Sequence, residues 1–468
     1  MDTKKLRQKI LDLAIRGKLV PQDPNDEPAS ILLERIRAEK EQLIKEGKIK
    51  RGKKSAATDK SHYENVPFEI PESWCWVVGG EVFLPMISCK PQGDEFKYID
   101  IDSVDNRRNK ITSSKVLKVK NAPSRASRYT KKGDILFSMV RPYLKNIALV
   151  EEESCIASTG FFVCSPTQLL TSEYCYYMML SDYVVYGLNQ YIKGDNSPSI
   201  NNSHITTWLY PIPPVSEQRR IVAEIQKWFK YISTLDGEKI ELEASVNLVK
   251  SKILDLAISG KLVPQDPNDE PAIELLKRVN PNFQPCDNSH YENLPENWCL
   301  AKVNDVFVIN PRNKAEDNTI AGFIPMTLID DGYSNTFSYD KRKWGSIKTG
   351  FTHFADGDVA VAKISPCLEN RKSIVLRDLP NGIGAGTTEL HVFRSSVVVP
   401  EYALYFFKSE YFISKCVGTF NGVVGQQRVG KNIIEEIQIP IPPINEQTKI
   451  VSTIETIFTQ LNTITAEL

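Results

Sequence analysis

The sequence predicts an α+β chain: two α/β domains separated by two long antiparallel coiled-coil helical arms, in a circular, pseudo-two-fold organisation. Three observations carry this expectation. A segment occurs twice almost unchanged, an apolar heptad seam in mid-chain is repeated in halves by the two chain ends, and two inserts of nearly equal length are rich in short β-type runs.

The repeat comes first. Residues 9–29 read KILDLAIRGKLVPQDPNDEPA and residues 252–272 read KILDLAISGKLVPQDPNDEPA; these 21 positions differ once, Arg16 against Ser259. SHYEN recurs at 61–65 and 289–293, P-E-x-W-C at 71–75 and 295–299, and P-I-P-P-x-x-E-Q at 211–218 and 440–447. A period of about 225–243 residues far exceeds the roughly 20–50 of a solenoid unit, so the copies are domain-sized. From Asn65 to Pro211 is 146 steps and from Asn293 to Pro440 is 147, yet the inserts share little beyond Gly133-Asp134 with Gly357-Asp358 and Pro142 with Pro366. Drift alone would have blurred the frames too, so the inserts answer to different demands.

The frames read as helical arms. Ile221, Ile225, Trp228, Ile232, Leu235, Lys239, Leu242, Val246, Val249, Ile253 and Leu256 alternate in steps of four and three, with Lys239 the one polar member. Pro213-Pro214 and Ser216 are expected as breaker and N-cap, Gly260 as C-terminal cap with Pro264 beyond. About 42 residues at 1.5 Å each would give a helix of roughly 60 Å. After the expected cap Asn445, Ile450, Ile454, Ile457, Leu461, Ile464 and Leu468 repeat the first half of this seam; Leu6, Ile10 and Leu13, before Gly17 and Pro21, repeat the second. The expected order is therefore an N-terminal half-arm (1–28), a charged helix and basic linker (29–65), a first insert (66–210), the central coiled-coil helix (211–272), a linker (273–293), a second insert (294–439) and a C-terminal half-arm (440–468). The arms would act as a spacer fixing the distance between inserts. KIKRGKK at 48–54 reads either as a solvated linker or as a phosphate contact.

Each insert reads as an α+β domain. Strand-type runs fall at 115–119, 134–140, 148–150 and 160–164 in the first and at 303–309, 358–364 and 373–376 in the second; one helix is expected late in each, around 172–188 and 400–417. Charge is uneven. The whole chain balances 58 basic against 58 acidic residues, but residues 107–145 hold 12 basic residues and one acid, Asp134, with Tyr129, Phe137 and Tyr143 interleaved. That run nominates Arg107, Arg108, Lys110, Arg125, Arg128, Lys131, Lys132, Arg141 and Lys145 for phosphate or base-edge contacts. Residues 341–377 hold eight basic residues and three acids, and nominate Lys341, Arg342, Lys343, Lys363, Arg371 and Lys372. Two dissimilar basic domains on one spacer imply a split double-stranded DNA site with unlike halves, since like halves would need only a homodimer and a palindrome.

Other classes are set aside. With 41% hydrophobic and 25% charged residues, wholesale disorder is excluded. No window approaches the ~18 apolar residues of a membrane span, and MDTKKLRQKI lacks a secretory apolar core. Nine cysteines without a C-x-x-C pair read as reduced thiols, so a cytoplasmic location is expected. GQQRVGKN at 425–432 misses the phosphate-cradling pattern, because Asn432 stands where Ser or Thr would hold magnesium. H-E-x-x-H, G-x-S-x-G and the [DN]-P-P-[YF] tetrad are absent, and five scattered histidines suggest no metal cluster. Asp134 with Lys145, and Asp358 with Lys363, only loosely echo a nuclease set. The expectation is a chain with no catalytic, cofactor-binding or metal-binding residues of its own.

The frames PIPPVSEQRRIVAEI and PIPPINEQTKIVSTIE, with LDLAIRGKLVPQDPNDEPA and its copy, resemble the specificity subunit of type I restriction–modification systems, over essentially the whole chain. The resemblance implies that the inserts are target recognition domains, each reading half of a bipartite asymmetric DNA sequence. It implies arms that bind two modification subunits, which carry S-adenosylmethionine and methylate adenine at N6. Two restriction subunits using ATP and Mg would add translocation and cleavage, all in a prokaryotic cytoplasm. It transfers no contact residue. A non-enzymatic two-domain protein–protein scaffold held by a coiled coil is the alternative, and it leaves the charge of 107–145 unexplained.

Overall fold

The computed structural model describes residues 2–50, 66–194, 198–287, 294–419 and 427–466; both SHYEN copies, residues 51–54 of the basic run, residues 425 and 426, and Leu468 lie outside them. The chain divides into two compact units, Met1–Glu238 and Lys239–Leu468, and the boundary falls inside one 44-residue helix, Val215–Ile258.

In the first unit, the frame closes on itself through the residues that the repeat preserves. The helix Thr3–Ile15 ends at Gly17, whose φ of +67° turns the chain onto Pro71. It runs antiparallel to the first part of Val215–Ile258. Gln22 donates to Glu217 at one end, and Arg7 pairs with Asp236 at the other, 3.3 Å away. Glu217 is fully buried and also accepts the indole N–H of Trp74 at 2.9 Å. Gln218, equally buried, accepts from the backbone N–H of Thr171 and donates to the carbonyl of Pro213. The hydroxyl of Tyr174 donates to the carbonyl of Pro211. Each half of P-I-P-P-x-x-E-Q thus has a buried polar task, as buried polar groups require.

The second unit repeats the buried bonds of this frame residue for residue. Trp298 Nε1 donates to Glu446 at 2.9 Å, as does Gln265 at 2.6 Å. Gln447 accepts from Val399 N–H and donates to Pro442, and Tyr402 donates to Pro440. Gly260, with φ of +71°, lies against Pro295. The helix Ile444–Ala466 runs antiparallel to the later part of Val215–Ile258, with Lys250 bonded to Asn462 and Gln265 to Glu446.

Several expectations need correction. Helix Val215–Ile258 starts one residue before Ser216, so Ser216 sits in the first turn and bonds Asp26 instead of capping. Ile444–Ala466 likewise starts before Asn445, which donates to Asp269. The single late helices are pairs, Ser172–Leu180 with Asp182–Asn189 and Pro400–Lys408 with Glu410–Val417, because Ser181 and Ser409 take extended backbone angles and cap the next helix. The run 303–309 is a helical turn, Val303–Val306, before the strand Val308–Ile309.

The seam residues fall into two rows. Ile10, Ile221, Ile225, Ile232, Val246, Ile253, Ile450 and Ile454 are buried; Leu6, Leu13, Leu242, Ile457 and Leu461 are half-buried. Trp228, Leu235, Val249, Leu256 and Ile464 are 41–48% exposed. Leu11, Ala14, Ile15, Leu254, Ala257 and Phe458, which the heptad count omits, are buried as well. Each unit therefore covers a broad apolar stripe at i, i+3 and i+4 on its own helices and leaves a second row open.

The inserts share one topology despite their unlike sequences. In the first, a four-stranded sheet is ordered Lys115–Lys118, Glu95–Ile99, Cys155–Ser158, Ala126–Thr130, with the central pair parallel. The second has Asp340–Lys343, Ile320–Ile324, Ile383–Gly386, Thr352–Ala355 in the same order and sense. An antiparallel sheet accompanies each: Phe83–Leu84, Phe161–Pro166, Ile135–Ser138, Ile147–Leu149, and Val308–Ile309, Leu390–Arg394, Val359–Ala362, Ser373–Val375. A two-stranded ribbon joins insert to frame in both, Cys75–Val78 with Leu209–Ile212 and Cys299–Lys302 with Gln438–Ile441. The first unit alone has a long helix after the repeat, Ala29–Lys45. Its Lys40 ammonium donates to the carbonyls of Gly80, Glu81 and Phe83, and burial pushes its pKa down to about 8.

Candidate nucleic-acid interface

The Gly-Asp pairs that the inserts share are turn residues. Gly133 and Gly357 take φ of +88° and +86°, and each following aspartate accepts a backbone N–H three residues earlier, from Lys131 and Ala355. Asp358 is 1% exposed and holds Arg394 in a two-pronged pair at 2.7 Å. Asp134 is 2% exposed, and burial raises its pKa. Neither aspartate is placed as a nuclease carboxylate would be, reaching toward open solvent. Among the described residues no group of three His, Cys, Asp or Glu could hold a metal ion, and no helix is long and apolar enough to cross a membrane.

The first insert gathers part of its charge run at one place. The strands Val104–Asp105 and Lys110–Ile111 form a hairpin whose tip carries Arg107 and Arg108; Asp105 accepts both of their backbone N–H groups. Asn109, left-handed at φ +54°, donates its side-chain amide to the carbonyl of Lys145 at 2.7 Å, and Tyr176 donates to the carbonyl of Asn109. These bonds set the hairpin tip against the turn Arg141–Lys145. Arg107, Arg108, Lys110 and Arg141 are exposed there, so four cations converge from stretches more than 30 residues apart. Lys145 itself is half-buried and bonded to Asp182 at 2.6 Å, at the start of Asp182–Asn189. Exposed Arg125 and half-buried Arg128 lie on or beside the strand Ala126–Thr130, and exposed Lys131 and Lys132 follow it, with Lys132 3.8 Å from Glu153. Of the interleaved aromatics, Phe137 is core, Tyr129 is half-buried and Tyr143 is exposed.

The second insert spends its cations differently. Lys341, Arg342 and Lys343 are all exposed on the sheet-edge strand Asp340–Lys343, with Arg342 stacked 3.7 Å over the Phe323 ring. Lys363 is half-buried near Glu389, whose carboxyl is held low by the paired Arg428. Arg371, left-handed at φ +58°, donates to the carbonyl of Lys408 and pairs with Glu410 at 2.8 Å, the equivalent of Lys145 with Asp182. Lys372 is turned inward to the carbonyl of Ile329. Beside this turn lie exposed Asp330 and Asp331, which follow the turn Met326–Leu328 as Asp105 and Asn106 follow Ile101–Ser103. Charge counting along the sequence missed Asn109, Asp182 and Glu410; the acid directly after Ser181 and Ser409, at matching positions of the two inserts, was the available signal.

Beneath this edge, His391 is 4% exposed, between the Asn310 amide and the carbonyl of Val429, each at 3.3 Å. Burial pushes its pKa down to about 4, opposed first by the bond to the Val429 carbonyl and last by Glu435, and assisted by Lys363 and Lys431. The unfolded chain, titrating near 6.5, binds the extra proton between those values, so stability falls as pH drops from 6.5 toward 4, by about 3 kcal/mol in full. Urea midpoints at pH 7.5 and 4.5 should show the second unit losing stability on this account, and His391→Gln should remove that share of the slope. An unchanged slope in the variant would rule the histidine out.

Residues 295–468 match the model of the type I restriction modification DNA specificity domain. The chain is 39% identical over 234 residues to the type I restriction enzyme EcoEI specificity subunit of Escherichia coli, covering 46% of this chain and 39% of that protein. It is 37% identical over 262 residues to the EcoAI specificity subunit of the same species, covering 51% and 44%. The match thus spans less than half the length of either relative. A solved chain, described under the structural basis of complex assembly and conformational transition of the type I R-M system, shares the fold at TM-score 0.63. It covers 86% of this chain and 94% of that one at 22% identity.

Proposed function

We propose, for a chain that belongs to the family of type I restriction–modification specificity subunits, that it is the DNA-recognition subunit of such a complex and performs no chemistry itself. The first insert reads one half of a split, asymmetric double-stranded site, and the second insert reads the other. The observation that carries this reading is one topology presented twice with different surface charge: exposed Arg107 and Arg108 at the hairpin tip of the first insert, and the exposed edge-strand cluster Lys341, Arg342 and Lys343 in the second. A scaffold would need no such contrast between two copies of one fold.

The open rows of Val215–Ile258 and Ile444–Ala466, with Trp228, Leu235, Val249, Leu256 and Ile464, are apolar surface that a partner would cover. In this reading the helices are coiled-coil arms on which two modification subunits dock, bringing S-adenosylmethionine and adenine-N6 methylation. Two restriction subunits with ATP and Mg join that assembly, in the cytoplasm of a prokaryote. Mapping modified adenines by single-molecule sequencing, with the gene intact and deleted, tests the proposal. Loss of one split, asymmetric motif on deletion is the expected result; an unchanged map, with the partner methyltransferase expressed, overturns it.

A further inference from the structure

The turn Pro142–Leu144 of the first insert is bracketed by two non-glycine residues in the left-handed region, Arg141 at φ +47° and Lys145 at +55°. Both conformations are unfavourable for a residue with a Cβ and persist only where the surroundings hold them. Here the surroundings do. Arg141 N–H donates to the carbonyl of Pro198, Asn109 donates to the carbonyl of Lys145, and the Lys145 ammonium is bonded to Asp182. The turn is therefore fixed, and what it fixes in solvent is an apolar pair: Tyr143 is 43% exposed and Leu144 40%. Tyr186, 57% exposed, stands beside them, its ring 5.5 Å from the Lys145 ammonium.

Scattered exposed apolar residues are ordinary. Two features set this pair apart. The corresponding turn of the second insert, Pro366 to Arg371, is two residues longer, and the two residues that precede left-handed Arg371, as Tyr143 and Leu144 precede Lys145, are exposed Glu369 and Asn370, so the fold has no need to project apolar side chains there. The neighbours of the projecting pair are the exposed cations Arg107, Arg108, Lys110 and Arg141, which suit a polyanion and not an apolar protein face.

The geometry points to Tyr143 and Leu144 as a wedge that presses against base faces of the first half-site, unstacking one base step while the flanking arginines hold phosphates. This inference rests on the DNA-reading proposal above. It adds that the first half-site is read partly by how readily its sequence unstacks, whereas the second insert, with Glu369 and Asn370 at these positions, uses no wedge at this turn.

The test uses the full-length chain purified with its modification subunits and a duplex carrying its mapped motif, with 2-aminopurine moved step by step through each half-site. Besides the target adenine that the modification subunit flips in each half-site, wild type should brighten at one further step of the first half-site and at none of the second. A Tyr143→Ala, Leu144→Ala double variant should lose that signal and bind about tenfold more weakly, with its salt dependence unchanged, because stacking rather than counter-ion release is lost. Tyr143→Phe should retain the signal, which separates the wedge from a folding defect. Arg108→Ala should instead reduce the slope of log affinity against log salt by about one while keeping the fluorescence rise. Tight wild-type binding with no bright step other than the flipped adenines, or a double variant within twofold of wild type, overturns the wedge. A double variant that fails to co-purify with the modification subunits overturns it in favour of a protein contact. Absence of wild-type binding to any split motif would strike the parent proposal instead.

Discussion

Replacing residues 66–210 with the first insert of another specificity subunit is expected to change one half of the methylated motif and leave the other half and the asymmetry intact. Three attachments say how the replacement must be built. The ribbon Cys75–Val78 with Leu209–Ile212 ties the insert to the frame, Trp74 donates to Glu217, and the first late helix is held at both of its frame contacts, Thr171 N–H to Gln218 and Tyr174 to Pro211. A donor that brings its own Trp and Tyr at those places keeps every buried acceptor satisfied; one that does not leaves Glu217 short of a partner and fails by misfolding before specificity is tested. With the attachments kept, affinity for the old half-site should fall toward the non-specific level, a drop of about 10³-fold or more. Methylation maps of cells carrying the swap decide the matter. If both half-sites changed together, the inserts would not be independent readers.

What the sequence made legible was the frame, and the reason is physical. Trp74 bonds Glu217 and Trp298 bonds Glu446, while Gln218 and Gln447 each tie two backbone segments together inside their own unit, so each has fixed partners and the repetition is visible to inspection. The common topology of the inserts was hidden. Their strands are two to six residues long, and central ones such as Ile135–Ser138 and Val359–Ala362 are buried on both faces, so they lack the alternation that marks a half-buried strand. Within the candidate interface, Lys145, Arg371 and Lys372 look like any other cation in sequence. Their acceptors, Asp182, Glu410 and the Ile329 carbonyl, lie 37, 39 and 43 positions away, and only folding shows that their charge is used internally. The cap expected at Ser216 failed for a similar reason: the Asp26 side chain, 190 positions away, takes its hydroxyl.

Glu446→Ala is expected to destabilise the second unit by about 2–4 kcal/mol and leave the first unit untouched, while Glu217→Ala does the converse. Each glutamate is at most 2% exposed and serves two donors, an indole N–H and the amide of Gln265 or Gln22. Truncation strands the buried indole N–H, at about 1–3 kcal/mol, and removes an acid from the first turn of a helix, at about 0.3–1 kcal/mol. The glutamine amide, which reaches the surface, recovers water and adds little. Such a loss is a large part of the roughly 5–15 kcal/mol that holds a typical domain. Burial raises the pKa of both carboxyls against the pull of their donors, so the folded state favours the protonated form, and this contribution fades as pH rises through the raised pKa. At neutral pH the ionised carboxylate therefore carries a desolvation cost that a carboxamide avoids. Glu446→Gln keeps one acceptor oxygen for Trp298, and it should stay within about 1 kcal/mol of wild type. Hydrogen exchange read peptide by peptide separates the units in one experiment. Loss of protection confined to residues 239–468 in Glu446→Ala, with recovery in Glu446→Gln, is the expected pattern. Equal loss in both units would mean that the frame stabilises the chain as a whole and that each latch is not private to its own insert.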